Sequence, residues 1–203
     1  MQLLAKTAPF ISKNHPFLRG ICPTKWGQIG FFDNFFYFCR KATRIFTVNK
    51  TIMEKKIEIN YWHYASLDEL PAADCALVDE AEKALKKAYP KYSNFSVGAA
   101  VRLRSGAILH GANSESEVLP SGMCAERSVL YYAEANHADD PIEALAIASN
   151  PSLRECYPCG GCRQVILDVQ RRQGLPMRII MSGGGTASII DNAEHLLPFT
   201  FQL

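Results

Sequence analysis

The chain of 203 residues is long enough for one ordinary domain with its own core, and its composition, 48% hydrophobic and 21% charged, is that of a globular protein. The net charge of +2 is unevenly spread. Residues 1–52 carry eight Lys or Arg and one acid, whereas residues 53–203 carry fourteen Lys or Arg and nineteen acids, a net charge of about −5. This acidic body argues against binding nucleic acid by charge, which needs a basic surface, and no stretch approaches the roughly 20 apolar residues that span a bilayer.

Residues 1–52 are interpreted as an N-terminal extension, because they are basic, nearly free of acids and without clear periodicity. Three interpretations stay open: an organellar presequence, a small element that packs on the body, or a translated upstream stretch with the natural start at Met53. We favour the last, since the composition changes close to Met53. Residues 53–203 are the predicted globular domain.

The predicted elements of this domain alternate between helix and strand. Ser66 and Glu69 have the spacing of a capping box, and an apolar helical period runs over 71–89, ending before Pro90. The patterns that follow predict a hairpin of strands over 97–104 and 107–113, a helix over 123–135, a buried strand over 142–149, a helix over 159–172, strands over 177–182 and 187–190, and a short C-terminal helix. This alternation indicates a three-layer α/β/α domain.

The cysteines indicate metal or redox chemistry rather than a disulfide framework. There are seven of them, an odd number, and three are clustered over 156–162. Cys124 precedes one predicted helix, and Cys159 and Cys162 form a Cys-x-x-Cys pair at the start of the next. Helix N-termini favour thiolates, and a catalytic zinc site keeps three protein ligands and one open position. We therefore predict that Cys124, Cys159 and Cys162 bind one Zn²⁺.

Three polar residues adjoin these cysteines in the sequence. Glu126 is placed to take a proton from a zinc-bound water and to deliver protons to a substrate. Three thiolates leave the ion with a net charge of about −1, and a guanidinium that donates to sulfur would restore some of its Lewis acidity. Arg127 and Arg163 are assigned this role in the surroundings of the ligands.

Two other interpretations of the cysteines remain: a redox pair, and a closed structural zinc site with Cys156 as the fourth ligand. The combination favours an open catalytic site. The segment Cys-Ala-Glu-Arg at 124–127 is followed about 30 residues later by Pro-Cys-x-x-Cys, which is the signature of zinc-dependent deaminases.

The chain resembles the homotetrameric cytidine deaminase family over roughly residues 68–201. Five segments carry the resemblance: Tyr-Ser-Asn-Phe-Ser-Val-Gly-Ala-Ala at 92–100, Gly-Ala-Asn-Ser-Glu at 111–115, the two cysteine segments at 124–127 and 158–164, and Leu-Leu-Pro-Phe-Thr-Phe at 196–201. The resemblance implies a cytidine-deaminase-like α/β domain over 53–203, with a central mixed sheet of about five strands, one zinc ion per subunit and active sites shared within a homotetramer.

The activity implied is hydrolytic deamination of cytidine and deoxycytidine to uridine and deoxyuridine, with release of ammonia by a zinc-bound hydroxide, in pyrimidine salvage. The implied partner is a small pyrimidine nucleoside, with no nucleic acid and no membrane. A cytoplasmic location is expected, and organellar targeting by residues 1–52 is the alternative.

The resemblance also assigns substrate contacts. Phe95 is expected to pack against the pyrimidine ring, while Asn113 and Glu115 hydrogen-bond the 3′ hydroxyl of the ribose. Phe201 is expected to reach the active site of a neighbouring subunit. The N–H of Ala125, at the start of the predicted helix, is expected to read the edge of the base.

One loop departs from the family pattern. After Glu115 the family usually continues with Asn-Ala and has an aromatic residue just before the proline, whereas this chain has Ser116, Glu117, Val118 and Leu119. The departure supports an alternative substrate, another aminopyrimidine such as a blasticidin-like nucleoside.

Overall fold

The computed structural model describes residues 53–201, and the predictions made for residues 1–52 lie outside that range. The named elements are six strands and three α-helices: β1 (Trp62–Tyr64), α1 (Ala72–Ala84), β2 (Ser96–Leu103), β3 (Ile108–Ala112), α2 (Ala125–Asn136), β4 (Ile142–Asn150), α3 (Gly160–Gln173), β5 (Arg178–Gly183) and β6 (Thr186–Ile190). Among the described residues, no helix is long and apolar enough to cross a membrane.

The six strands form one mixed sheet in the order β1-β6-β5-β4-β2-β3. Only β4 and β5 run parallel, and the other neighbours are antiparallel. The predicted α/β class and mixed sheet are confirmed, with six strands rather than about five. The additional strand is β1, which pairs with β6 along Trp62–Tyr64. Three residues are too few to show a period of two, so this edge strand could not be predicted from the sequence pattern.

Helices cover both faces of the sheet, which gives the predicted three layers. Successive side chains of β4 point to opposite faces. Ala144, Ala146 and Ala148 pack on the side of α1, in a cluster with Leu77 and Val78 of that helix. The intervening apolar residues of β4 face α2 and α3, in a second cluster that also contains Val129, Leu130, Ile166 and Leu167. The small alanines on one face let α1 lie close to the sheet.

Two glycines permit the closest contacts between helix and sheet. A Cβ atom on Gly98 of β2 would lie 2.1 Å from the carbonyl oxygen of Ala81 in α1. A Cβ atom on Gly111 of β3 would lie 2.5 Å from the carbonyl oxygen of Ala125 in α2. Both distances are far below van der Waals contact, so only glycine fits at these positions. Gly111 thereby seats the first turn of α2 on the sheet.

Two predicted helical segments take a tighter form. Ser66 caps a short 3₁₀ turn, Leu67–Glu69, by accepting a hydrogen bond from the Asp68 N–H at 3.3 Å. The α-helix itself begins after Pro71. The predicted C-terminal helix is a 3₁₀ turn, Ala193–Leu196, capped by the side chain of Asn192.

Candidate functional site

The first turns of α2 and α3 bring three cysteine sulfurs together. Cys124 is the N-cap of α2, Cys159 is the N-cap of α3, and Cys162 lies buried in the first turn of α3. The three sulfurs lie within 4.8 Å of one another. The Sγ atoms of Cys124 and Cys159 are 4.0 Å apart, and those of Cys159 and Cys162 are 3.4 Å apart. Two helix N-termini therefore direct their unpaired N–H groups and positive dipole ends at one thiol cluster.

The sulfur cluster has the size that tetrahedral zinc requires. A Zn–S bond of about 2.3 Å and tetrahedral angles place two sulfur ligands about 3.8 Å apart, close to the observed separations of 4.0 and 3.4 Å. Three soft sulfur donors and one open side are the ligand set of a catalytic zinc site. The structure thus contains a group of three cysteines that can hold a zinc ion, which confirms the predicted cofactor.

Cys156 does not belong to this group among the described residues. Burial raises the pKa of the Cys156 thiol to about 11, and the negative charge of Glu126 acts in the same direction. Burial therefore favours the neutral thiol at Cys156, beside the cluster. The arrangement does not support a closed site of four thiolates.

The charge on the sulfurs is stabilised by donors around them. Interaction with the Cys162 thiol, and then with the guanidinium of Arg127, lowers the pKa of Cys124 to about 5, although partial burial acts the other way. The same contact with Cys124 raises the pKa of Cys162. Arg127 Nη2 lies 3.7 Å from Cys124 Sγ, and its predicted role in tuning the ligands stays a prediction. Both contacts therefore favour the thiolate form of Cys124.

Arg163 makes a different contact from the one predicted. Its Nε donates to the carbonyl oxygen of Pro158 at 2.9 Å, and no hydrogen bond from Arg163 to a sulfur occurs in the described structure. Arg163 therefore braces the backbone just before Cys159. It acts on the position of the ligand loop rather than on the charge of a ligand.

Glu126 lies beside the sulfurs without belonging to their cluster. It is only 4% exposed and lines the cavity over the cysteines. Burial raises the pKa of its carboxyl group, and the charge on Cys124 adds to this effect. A raised pKa suits a carboxyl group that both accepts and donates protons in a reaction. Ala125 is fully buried as the first residue of α2, where its N–H has no partner within the helix.

A cavity of about 720 Å³ opens over Cys124, Cys159 and Glu126. This volume is in the range of small-molecule sites. Predicted substrate contacts Phe95, Asn113 and Glu115 all line it. Other lining residues were not assigned a substrate contact from the sequence: Tyr92, Ser93, Val97, Cys156 and Tyr157. The position of Tyr157 directly before Pro158-Cys159 was the one signal available for that residue.

Asn113 and Glu115 hold the backbone on one side of the cavity. Asn113 accepts from the Val97 N–H at 2.8 Å and donates to the Phe95 carbonyl at 2.9 Å. Glu115 accepts from the Tyr92 N–H at 2.7 Å and from the N–H and hydroxyl of Ser93. These contacts fix the segment that presents Phe95 and lower the pKa of Glu115. The predicted contacts with ribose stay predictions.

The loop that departs from the family pattern borders the cavity. Ser116 and Leu119 line it, and Leu119 is 85% exposed. Phe201 is not among the residues that line the cavity of its own chain, and its side chain is 74% exposed. The predicted contact of Phe201 with a neighbouring subunit stays a prediction.

Comparisons with known proteins agree with this geometry. Residues 71–174 match the family described as cytidine and deoxycytidylate deaminase zinc-binding region. The chain is 38% identical over 93 residues to a cytidine deaminase of Halalkalibacterium halodurans, which covers 46% of this chain and 69% of that protein. It is also 38% identical over 92 residues to a cytidine deaminase of Sporosarcina psychrophila, covering 45% of this chain and 66% of that protein.

Solved structures give the same result. The crystal structure of cytidine deaminase from Burkholderia pseudomallei superposes with a TM-score of 0.56 at 35% identity, over 62% of this chain and 97% of that one. The cytidine deaminase from Mycobacterium tuberculosis superposes with a TM-score of 0.51 at 29% identity, over 63% of this chain and 96% of that one.

Proposed function

Because the chain belongs to the cytidine and deoxycytidylate deaminase zinc-binding family, we propose that it hydrolyses cytidine and deoxycytidine to uridine, deoxyuridine and ammonia. The observation that carries the proposal is the buried carboxyl group of Glu126 beside three clustered sulfurs, lining a cavity of about 720 Å³. Hydrolytic deamination needs a carboxyl group next to a thiolate-bound metal ion.

The cluster of Cys124, Cys159 and Cys162 would hold the zinc ion. When bound, zinc acts as a Lewis acid that makes a water molecule nucleophilic near neutral pH. Arg127 donates to the Cys124 sulfur and thereby withdraws part of the negative charge that three thiolates place on the ion.

Glu126 is proposed to carry both protons of the reaction. It takes one from the attacking water and gives it to N3 of the pyrimidine as the water oxygen adds to C4. The second proton then goes through Glu126 to the amino group, the C4–N bond breaks, and ammonia leaves. Because burial already raises the pKa of Glu126, the carboxyl group can both accept and release a proton during one turnover.

The remaining cavity residues are proposed to hold the nucleoside. Phe95 offers an aromatic face for the base, and it is kept in place by the contact of Asn113 with its carbonyl. Glu115 Oε2 already accepts from two backbone N–H groups, whereas Oε1 accepts only from the Ser93 hydroxyl and keeps a lone pair for a ribose hydroxyl. Ala125 is fully buried and is not among the residues that line the cavity, so the contact of its N–H with the base edge stays a prediction.

We further propose that the protein is a cytoplasmic homotetramer, with residues 53–203 as its deaminase domain. The exposure of Phe201 at the C-terminal end of the described residues is consistent with burial against a second copy. Light scattering tests the assembly, and full activity of a monomer would contradict it. Mass spectrometry of the natural N-terminus tests the assignment of residues 1–52.

Steady-state kinetics tests the proposed activity. The purified protein is incubated with cytidine, deoxycytidine and blasticidin S, and ammonia is measured together with the change in ultraviolet absorbance. We expect equal amounts of ammonia and uridine from cytidine. The altered loop with Leu119 at the cavity favours blasticidin S as the second candidate, and turnover of that compound alone would replace cytidine as the substrate.

A further inference from the structure

The loop between β4 and α3 carries a buried carboxylate that the deamination scheme does not use. The side chain of Glu155 is 9% exposed. Its Oε1 accepts from Thr186 Oγ1 at 3.0 Å and from Ser188 Oγ at 3.2 Å, and it lies 3.1 Å from His63 Nδ1. Its Oε2 accepts a hydrogen bond from the hydroxyl of Tyr157. Groups from β1, β6 and the loop therefore converge on one carboxylate.

This cluster contains a serine, a histidine and a carboxylate, but its geometry does not make a nucleophile. His63 directs the same ring nitrogen, Nδ1, at both Ser188 and Glu155. A catalytic triad needs one ring nitrogen for the nucleophile and the other for the carboxylate. Ser188 is also buried, at 3% exposure. The cluster is therefore an anchor for the Glu155 side chain.

Tyr157 connects this anchor to the cavity. Phe95, Cys156 and Tyr157 line both the cavity over the sulfurs and a neighbouring cavity of about 310 Å³, so these three residues lie between the two. Glu155 lines only the second cavity. The hydrogen bond between Glu155 and Tyr157 therefore holds the tyrosine from the side of the second cavity.

We propose that Glu155 is a positioning residue that fixes Tyr157 as a wall of the nucleoside cavity, and that Tyr157 is thereby a determinant of nucleoside affinity. The inference rests on the proposed deaminase function. A side chain that is ordered before the substrate arrives loses less conformational entropy on binding. Donation to Glu155 raises the pKa of Tyr157, so the hydroxyl stays protonated and the bond persists.

The backbone of this loop is held independently of the carboxylate. The N–H of Cys156 donates to the carbonyl of Ser182 at 3.0 Å, and the N–H of Gly184 donates to Ser152 Oγ at 3.1 Å. Loss of the Tyr157 hydroxyl therefore releases the ring without releasing the loop. Affinity and fold can be separated by experiment.

Tyr157→Phe is the decisive variant, because it removes only the hydroxyl that Glu155 holds. We expect its KM for cytidine to rise about three- to tenfold, the effect of one hydrogen bond of ordinary net strength, with unchanged kcat and zinc content. Tyr132→Phe is the matched control: Tyr132 is 52% exposed against 51% for Tyr157 and does not line the cavity. It should leave KM unchanged.

Two further variants separate positioning from stability. Thr186→Val removes another bond to the same carboxylate but keeps the bond to Tyr157, so it should lower the unfolding temperature without raising KM. Glu155→Ala and Tyr157→Phe break the same link, so the KM of the double variant should not exceed the higher of the two single-variant KM values.

The dissociation constant of uridine, measured by calorimetry, gives the same comparison without turnover. An unchanged KM and dissociation constant for Tyr157→Phe would overturn the inference, as would an equal increase for Thr186→Val. Failure of the wild-type protein to release ammonia would contradict the proposed function, whereas the uridine measurements would still decide the role of Tyr157.

Discussion

Replacing Glu126 by glutamine is expected to separate catalysis from metal binding. Glutamine has nearly the same shape as glutamate but cannot carry the two protons assigned to this residue. Glu126 is 4% exposed, so bulk water has little access to replace it as a proton carrier. Loss of a positioned acid–base group lowers kcat by about 10²- to 10⁴-fold, which corresponds to about 2.7–5.4 kcal/mol of barrier.

The same variant should keep its zinc and its stability. Glu126 lies outside the sulfur cluster, so metal analysis should find the wild-type content. Burial disfavours the ionised carboxyl group, as its raised pKa indicates, and a neutral amide removes that cost. The unfolding temperature should therefore not fall.

The assay compares cytidine turnover, zinc content and thermal unfolding for the wild type, Glu126→Gln and Glu143→Gln. Glu143 is a half-exposed glutamate on β4, away from the cavity, and it controls for the chemical change alone. A kcat within about threefold of the wild type, far below the loss expected for an acid–base group, would refute the assigned role of Glu126. Loss of zinc together with activity would show that the residue acts through the metal site.

Other substitutions test the surroundings of the site. Cys162→Ser should abolish stoichiometric zinc binding in metal analysis, whereas Cys156→Ser should keep it, since only Cys162 belongs to the sulfur cluster; equal losses would favour a site of four thiolates. Arg127→Gln should weaken zinc binding about 10- to 100-fold in a competition titration with a chelator, because the Cys124 sulfur loses its charged donor. Gly98→Ala should lower the free energy of unfolding by about 3 kcal/mol or more in urea titrations, because its Cβ would lie 2.1 Å from the Ala81 carbonyl.

The zinc cluster could be predicted from the sequence because its signals are local. Cys124 and Cys159 both stand where a helix begins, and the spacing from Cys159 to Cys162 spans one helical turn. Helix starts are marked by short-range patterns, so the positions of these sulfurs on their elements followed directly. The two helices meet at one point because of how the sheet is arranged, and this convergence could be predicted only from the resemblance to a known family.

The wall of the cavity at Tyr157 could not be predicted, because its contacts are made across long sequence separations. Glu155 meets Thr186 and Ser188 about 30 residues later and His63 about 90 residues earlier. The hydrophobic periodicity within one helix or strand contains no information about such contacts. The same holds for Asn113, whose amide ties the strand that presents Phe95 and gave no sign of this role in the sequence.

The measurement that tests the central claim most directly is cytidine deamination by the metal-free and the zinc-reconstituted protein. Zinc is removed with a chelator, its content is determined, and ammonia release is followed as zinc is added back. We expect no turnover without zinc and full turnover at one zinc per chain, held by Cys124, Cys159 and Cys162. A protein that carries one zinc per chain and releases no ammonia from cytidine would contradict the proposed deamination, and unchanged turnover without zinc would contradict the metal's role.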